Sequence, residues 1–491
     1  MAVDTLIIGS GLSGLACGII LARHGRKVLI VEQHHEPAPV VRGFKRQGIY
    51  FDSGFHYVGG AGEGGPLLPM FKHLGIADEL TLVPYDGSGF DRLRIGNSCE
   101  TFALPVGMSA LRERLCRRFP AEKQHIDSFL QSISARWRSF PYLNLDNGFT
   151  SNDFQSVHEP SLAESLVVFA ASPLLQSLFS MHSLLYGVAP EIAPVTLNHQ
   201  VVGSYFHSVH GIAGGGRQLV KALLQVFTGL GGEVRCQAEV TAILTGNGRV
   251  TGVELGTGEK VQAKAVVATC NPTLLPPMVP AGILRPAYTK RLQTLYQTSS
   301  ALILYGRCDA AASVLHRKNL YLLAQKGIVT ENLALPLEQR PMYLAGTGRL
   351  NGEADRGLIA IVPTAYAEVD AWAGGGAERP MGYRRWKEEM TRRLCRHIHQ
   401  QFPELTGLEP LDLATPLTLR DFSRAPHGAV YGIGRVVGQY NPQPATRLPG
   451  LFLSGQAVAG PGLLGTLASA YLTCGTMIGH EALHKDLSAC R

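Results

Sequence analysis

The stretch 5–32, TLIIGSGLSGLACGIILARHGRKVLIVE, constrains this chain more than any other. Leu6–Ile8 is an apolar run of the kind that forms a buried parallel strand, and it stops at Gly9-x-Gly11-x-x-Gly14. A helical apolar pattern follows through Leu15, Ile19, Ile20 and Ala22 and ends near Gly25. Lys27–Val31 then reads as a second strand with Glu32 at its tip. Strand, glycine turn, helix, strand and acid in this register make a dinucleotide-binding unit. Gly9 permits the tight turn, Gly11 keeps a Cβ away from a pyrophosphate, and Gly14 lets the helix lie close to the strand. The helix N-terminus offers unpaired N–H groups and the positive end of its dipole to phosphate. Glu32, 18 residues after Gly14, can accept hydrogen bonds from an adenosine ribose, and its charge disfavours a 2′-phosphate. Leu12, Ser13 and Gln33 flank these positions and are expected against the same ligand.

A chain of 491 residues can bury a large core and is expected to form two or more domains. Its net charge of +7 is modest for that length and no long Lys/Arg block occurs, so nucleic-acid binding is not indicated. The cysteines are scattered, odd in number and without a CxxC pair; they read as reduced thiols of a cytosolic chain. The apolar N-terminus carries Asp4 where a signal peptide has basic residues, and it runs straight into the glycine motif. The most apolar long stretch, Gly450–Gly479, is interrupted by Pro461 and five internal glycines, which argues against a membrane span. Leu111, Leu115 and Phe119 share one face of a basic helix, which reads either as an ordinary surface helix or as a contact with anionic membrane. The expected location is cytoplasmic, with peripheral membrane contact as the alternative.

Three further blocks carry a resemblance. Glu32-Gln33-His34 precedes Phe51-Asp52-Ser53-Gly54-Phe55-His56-Tyr57-Val58-Gly59-Gly60. Tyr186-Gly187-Val188-Ala189-Pro190 and Ala193-Pro194 precede a Gly214-Gly215-Gly216 turn. Leu451-Phe452-Leu453-Ser454-Gly455-Gln456 precedes Gly460-Pro461-Gly462 and Gly465. In this order the blocks resemble the flavin amine oxidase/phytoene desaturase superfamily, and within it the retinol saturase and carotenoid isomerase branch. The resemblance implies FAD, with the Val240 backbone at the adenine and Gly455, Gln456, Gly462, Leu463 and Leu464 along the flavin. A helix over 465–478 would begin beneath the flavin ring. It implies an α/β fold: a Rossmann-type FAD-binding domain from residues 1–75, 200–275 and 440–491, and an inserted α+β substrate-binding domain from 76–199 and 276–439. Two departures stand out. Ala38-Pro39 replaces the family's Gly-Gly pair after the acid, which removes a donor, fixes φ and implies an altered or weaker hold on FAD. Ile212 replaces the proline before the later glycine pair.

The resemblance further implies an apolar, elongated substrate such as a carotenoid or retinoid, and hydride exchange with flavin N5. Saturation, desaturation and isomerisation all fit. Saturation also needs a proton donor. His56 and Tyr57 are the first candidates, followed by Tyr186, His199, His207 and His210. His207-x-x-His210 lacks a convincing third ligand, so no metal is expected. No second glycine motif follows a strand: Gly256-Thr257-Gly258 and Gly346-Thr347-Gly348 lack that context, so electrons for saturation would come from an unidentified partner. An amine oxidase and a non-catalytic flavin-binding lipid escort protein remain as alternatives.

Overall fold

The computed structural model describes residues 2–98, 100–146, 148–149, 158–170, 172–347, 356–374 and 378–491; Cys99 and Gly348 lie outside them. Two seven-stranded sheets dominate. The first runs in the order Glu233–Arg235, Val28–Val31, Ala2–Ile8, Lys260–Ala268, Arg249–Leu255, Val240–Gly246, with Leu451–Leu453 also on Lys260–Ala268. Its central pairings are parallel: Thr5–Ile8 against Val28–Val31 on one side and against Ala265–Ala268 on the other. Lys260–Ala268 is shared along its length, meeting Arg249–Leu255 with its first half and Leu451–Leu453 with its last three residues. All four residues of Val28–Val31 are buried, as expected of a parallel strand covered on both faces. The helix Leu12–Arg23 is buried from Leu12 to Leu21 because it is wedged between this sheet and the helices Gly215–Gly229 and Gly462–Ile478. That is why it is apolar nearly all round instead of amphipathic.

The second sheet runs Glu409–Ala414, Ser300–Arg307, Gly357–Thr364, Met342–Gly346, Asn319–Leu323, Asp91–Ile95, Thr101–Leu104. All its pairings are antiparallel except Asn319–Leu323 with Asp91–Ile95. Side chains alternate between its faces. Leu302, Leu304, Leu344 and Leu358 pack with Met390, Leu394 and Ile398 of the long helix Met381–Gln401. Ile303, Tyr305, Tyr343 and Ile361 point the other way, into a cavity.

The C-terminal helix begins three residues before the expected 465. Gly462 takes φ +75° and turns the chain out of Pro461 into Gly462–Ile478. The basic helix spans Met108–Arg118, with Leu111 and Leu115 fully buried. Its arginines are engaged within the protein: Arg112 makes a two-pronged pair with Asp127 (2.6 and 2.9 Å), Arg114 donates to the Ser88 and Ala103 carbonyls, and Arg117 pairs with Glu113. Among the described residues, the cysteines are free thiols and no helix is long and apolar enough to cross a membrane.

Two histidines are locked into this frame. His199 is fully buried, and that burial depresses its pKa to about 3. His73, bonded to the Tyr471 hydroxyl at 2.9 Å, is depressed to about 4, chiefly by burial and next by Arg23. The unfolded chain takes up these protons near pH 6.5 whereas the folded chain does not, so stability falls as pH drops from about 6.5 towards 4, by about 1.4 kcal/mol per unit of depression for each group. Thermal unfolding across that window should show the loss, and His199→Phe should flatten it.

Candidate active site

The glycine turn is held from beneath by Glu32. Its Oε2 accepts from the Ser10 N–H (2.9 Å) and from Ser10 Oγ (2.7 Å), while Oε1 accepts from the His34 N–H at 3.1 Å. Ser10, which the motif does not flag, also accepts from the Ala38 N–H at 2.8 Å. Ala38 adopts φ +47°, the left-handed region that glycine enters freely. Pro39 then opens the one-turn helix Pro39–Arg42, where a missing N–H removes no intrahelical bond. At Ala38 the chain thus takes a backbone conformation that a glycine would enter without strain.

The other expected cofactor contacts gather around this turn. The Gln237 N–H donates to the His34 carbonyl and the Ala238 N–H to the Glu32 carbonyl, both at 2.8 Å, which brings the start of the Val240 strand against Glu32-Gln33. A Cβ on Gly455 would lie 3.3 Å from Ser13 Oγ, so the C-terminal block meets the glycine helix. A Cβ on Gly14 would stand 2.1 Å from the Gly9 carbonyl oxygen, which is the close approach the motif requires. By contrast, Cβ atoms on Gly11, Gly460 and Gly462 would meet nothing within 4 Å. The helices Leu12–Arg23 and Gly462–Ile478 both start without a side-chain cap or an acid in the first turn, so their N–H donors remain available to an anion. Open space before the glycines and two uncapped helix starts fit FAD.

A cavity of about 350 Å³ joins this region to the second sheet. Leu12 and the segment Ala459–Thr466, with Gln456, form one wall; Ile303, Tyr305, Tyr343 and Ile361 form the opposite one. Val40 and Phe422, 42% and 41% exposed, mark its opening. His56 and Tyr57 both line it, as do Gly462, Leu463 and Leu464. Tyr186, His199, His207 and His210 are not in its lining. Tyr186 accepts from Asn198 Nδ2 at 3.2 Å, His199 lies edge-on to Phe129, and His207 packs on Trp137. Among the described residues, no group of three or more His, Cys, Asp or Glu is placed to hold a metal.

The chemistry of His56 and Tyr57 is set by burial. Desolvation holds the His56 imidazole down to about 4, so it is neutral at physiological pH. The Tyr57 hydroxyl donates to Asp91 Oδ2 at 3.0 Å and lies 2.9 Å from the Tyr321 hydroxyl; burial and the Asp91 charge push its pKa well above the usual tyrosine value. Asp91, fully buried, is the hub of a network absent from the sequence reading. It pairs with His182 Nε2 at 2.8 Å and accepts from Asn319 Nδ2 at 2.8 Å, and the Tyr343 hydroxyl donates to Asn319 Oδ1 at 3.1 Å. Parallel pairing sets Asp91 directly beside Asn319. An acid on the same strand face as Leu93 was the one available signal for it. Glu331, the carboxyl in the cavity wall, was also missed; it sits in a loop whose sequence carries no motif.

Comparison with known proteins gives the same family as the blocks of sequence. Residues 12–476 match the family model described as flavin containing amine oxidoreductase. All-trans-retinol 13,14-reductase of Homo sapiens is 26% identical over 540 residues, covering 99% of this chain and 87% of that protein. A chloroplastic prolycopene isomerase of Daucus carota is 25% identical over 306 residues, covering 55% and 46%. The crystal structure of an oxidoreductase from Methanosarcina mazei superposes with a TM-score of 0.69 at 17% identity, covering 97% of this chain and all of that one.

Proposed function

This chain belongs to the flavin containing amine oxidoreductase family, and from that premise we propose that it adds hydride to, or removes it from, a carbon–carbon bond of an apolar polyene of the retinoid or carotenoid kind. It is an FAD-dependent oxidoreductase. The observation that carries the polyene reading is the cavity, walled by aliphatic and aromatic side chains and reaching both Leu12 and the start of the C-terminal helix. Cis–trans isomerisation of the same substrate class is the second reading, favoured by the match to the carrot protein.

When bound, FAD supplies the two-electron exchange with a substrate carbon. We assign its pyrophosphate to the turn Gly9, Gly11, Leu12, Ser13 and Gly14, and its adenosine to Glu32, Gln33 and Val240. We assign the flavin ring to Gly455, Gln456, Gly462, Leu463 and Leu464. The domain division stands on the same assignment: 1–75, 200–275 and 440–491 bind the cofactor, and 76–199 with 276–439 shape the substrate wall. The chain's own work is to hold an elongated apolar molecule against that ring and to keep water out. Ile303, Tyr305 and Ile361 supply apolar contact, while Tyr57 and Tyr343, anchored through Asp91 and Asn319, fix the wall's shape. We infer that the electron partner docks transiently, since one dinucleotide motif is present. The bonds of Arg112 to Asp127 and of Arg114 to the Ser88 and Ala103 carbonyls support a structural role for the basic helix over a membrane role.

The test is anaerobic. Purified protein should release stoichiometric FAD; the reduced protein, mixed with retinoid or carotenoid, should regain the oxidised flavin spectrum and yield a product heavier by two hydrogens. Isomerised product without flavin oxidation would establish the second reading. Peroxide release with amines and no exchange with polyenes would overturn both in favour of an amine oxidase. Tight polyene binding without turnover would leave an escort protein.

A further inference from the structure

Glu331 lies in the connection between Asn319–Leu323 and Met342–Gly346. That connection is pinned just ahead of it: the Gly327 N–H donates to Ser177 Oγ and the Val329 N–H to Ser180 Oγ, both at 2.9 Å, and Val329 is buried. The chain then delivers Glu331 into the cavity wall, where Ser299 Oγ donates to Oε2 at 3.0 Å. The charged group that bears on it is another carboxylate, Glu191, and Tyr186, Tyr296 and Tyr431 from three further segments sense its charge. Among the described residues, no cation acts on it. Burial first, and Glu191 after it, push the Glu331 carboxyl up to about 7 against the opposing pull of the Ser299 hydrogen bond. Such a carboxyl is poised near neutral pH, where it holds a proton part of the time and can give it up or take it back.

Among the other titratable side chains of the wall, burial holds the Tyr205 and Tyr305 hydroxyls well above the usual tyrosine range, too weak to give up a proton near neutral pH. His56 is a neutral imidazole. The hydroxyls of Tyr57, Tyr343 and Tyr431 donate to Asp91, Asn319 and the Leu184 carbonyl.

We propose that Glu331 is the acid that protonates a substrate carbon as its double bond is saturated. This rests on the polyene reading above. The π bond opens; one carbon receives hydride, two electrons and a proton's mass, from two-electron-reduced flavin. Its neighbour receives H⁺ from Glu331. The flavin is left oxidised and Glu331 ionised, to be reprotonated from solvent. In the opposite direction Glu331 as carboxylate takes the proton.

Two measurements test this. The first is the infrared difference spectrum of the FAD-bound protein, wild type minus Glu331→Gln, followed through pH. It should contain a protonated-carboxyl C=O band that disappears with a midpoint near 7. Ser299→Ala, which removes a hydrogen bond to the ionised form, should move that midpoint upward. The second is single-turnover oxidation of the reduced protein by polyene. Wild type should lose rate above neutral pH; Glu331→Gln should slow the reaction about 10²-fold or more, with polyene affinity retained, and should abolish that pH dependence. Absence of the band, or unchanged rate and pH profile in Glu331→Gln while wild type turns over, would overturn the assignment of the acid. A wild type that holds FAD yet exchanges with no polyene would overturn the functional reading itself, and this inference with it.

Discussion

Asp91→Ala is expected to destabilise the protein by about 3–5 kcal/mol, because it takes the shared acceptor away from several buried donors at about 1–3 kcal/mol each. The carboxylate is fully buried and serves three donors at once: Tyr57, His182 and Asn319. Deleting it leaves the His182 Nε2 and Asn319 Nδ2 without an acceptor in a dry interior, each with a desolvation cost of about 1–3 kcal/mol. Among the described residues, His182 Nδ1 has no hydrogen-bond partner and the Tyr57 hydroxyl would keep only Tyr321. The effect should extend beyond stability, because Tyr57 and Tyr343 hold their place in the cavity wall through this hub. Denaturant unfolding of the variant would measure the first effect and polyene affinity the second. A stability change below 1 kcal/mol would show that water or rearrangement replaces the carboxylate.

Gly14→Ala is expected to abolish retention of FAD. Its Cβ would stand 2.1 Å from the Gly9 carbonyl oxygen, a backbone atom on the tightest part of the turn. Gly9 is itself constrained, by φ +98° and by its N–H bond to the Val31 carbonyl at 2.8 Å. The helix must therefore move off the strand, carrying its N–H donors away from the proposed pyrophosphate position. Overpacking of this kind costs up to about 3 kcal/mol, and charged to cofactor binding that is roughly a hundredfold in affinity. The variant should purify colourless, with circular dichroism close to wild type, and take up added FAD only at high concentration. A yellow, stoichiometric Gly14→Ala protein would show that the turn is not the pyrophosphate cradle.

The two sites differ in how far the sequence exposes them, for a physical reason. The glycine unit is local. Strand, turn, helix and acid are contiguous, and the positive φ of Gly9 and the 2.1 Å approach at Gly14 are demands of the turn itself, so the motif reads directly. In the second sheet Ser300–Arg307 presents one set of side chains to the helix and the other to the cavity, and because both faces are covered its sequence between those ends is apolar throughout and shows no alternation. Asp91 and Glu331 are not local. Asp91 becomes a hub only when register pairing sets Asn319 beside it, across 228 residues. Glu331 enters the wall only because Ser177 and Ser180 on another helix pin its loop. His56 and Tyr57 were traced to the cavity by resemblance, but the depth that silences one and the partner that engages the other are properties of the assembled wall. The departure at Ala38-Pro39 is absorbed by a left-handed alanine bonded to Ser10, a detail no motif encodes.

The strand Lys260–Ala268 is flanked by the first and one of the last strands of the chain, Ala2–Ile8 and Leu451–Leu453. During synthesis its edge therefore stays open long after the strand itself is made. At ordinary translation speeds roughly 20–90 s pass between emergence of the first strand and of the last. For most of that time the glycine turn exists without the Gly455 segment that lies across it, and Leu12–Arg23 lacks the covering helix Gly462–Ile478. A nascent chain is thus a half-built clasp with an apolar helix exposed. Firm loading of cofactor should therefore wait until Leu451–Ile478 has been made, and a chain cut short before Leu451 should leave Leu12–Arg23 uncovered.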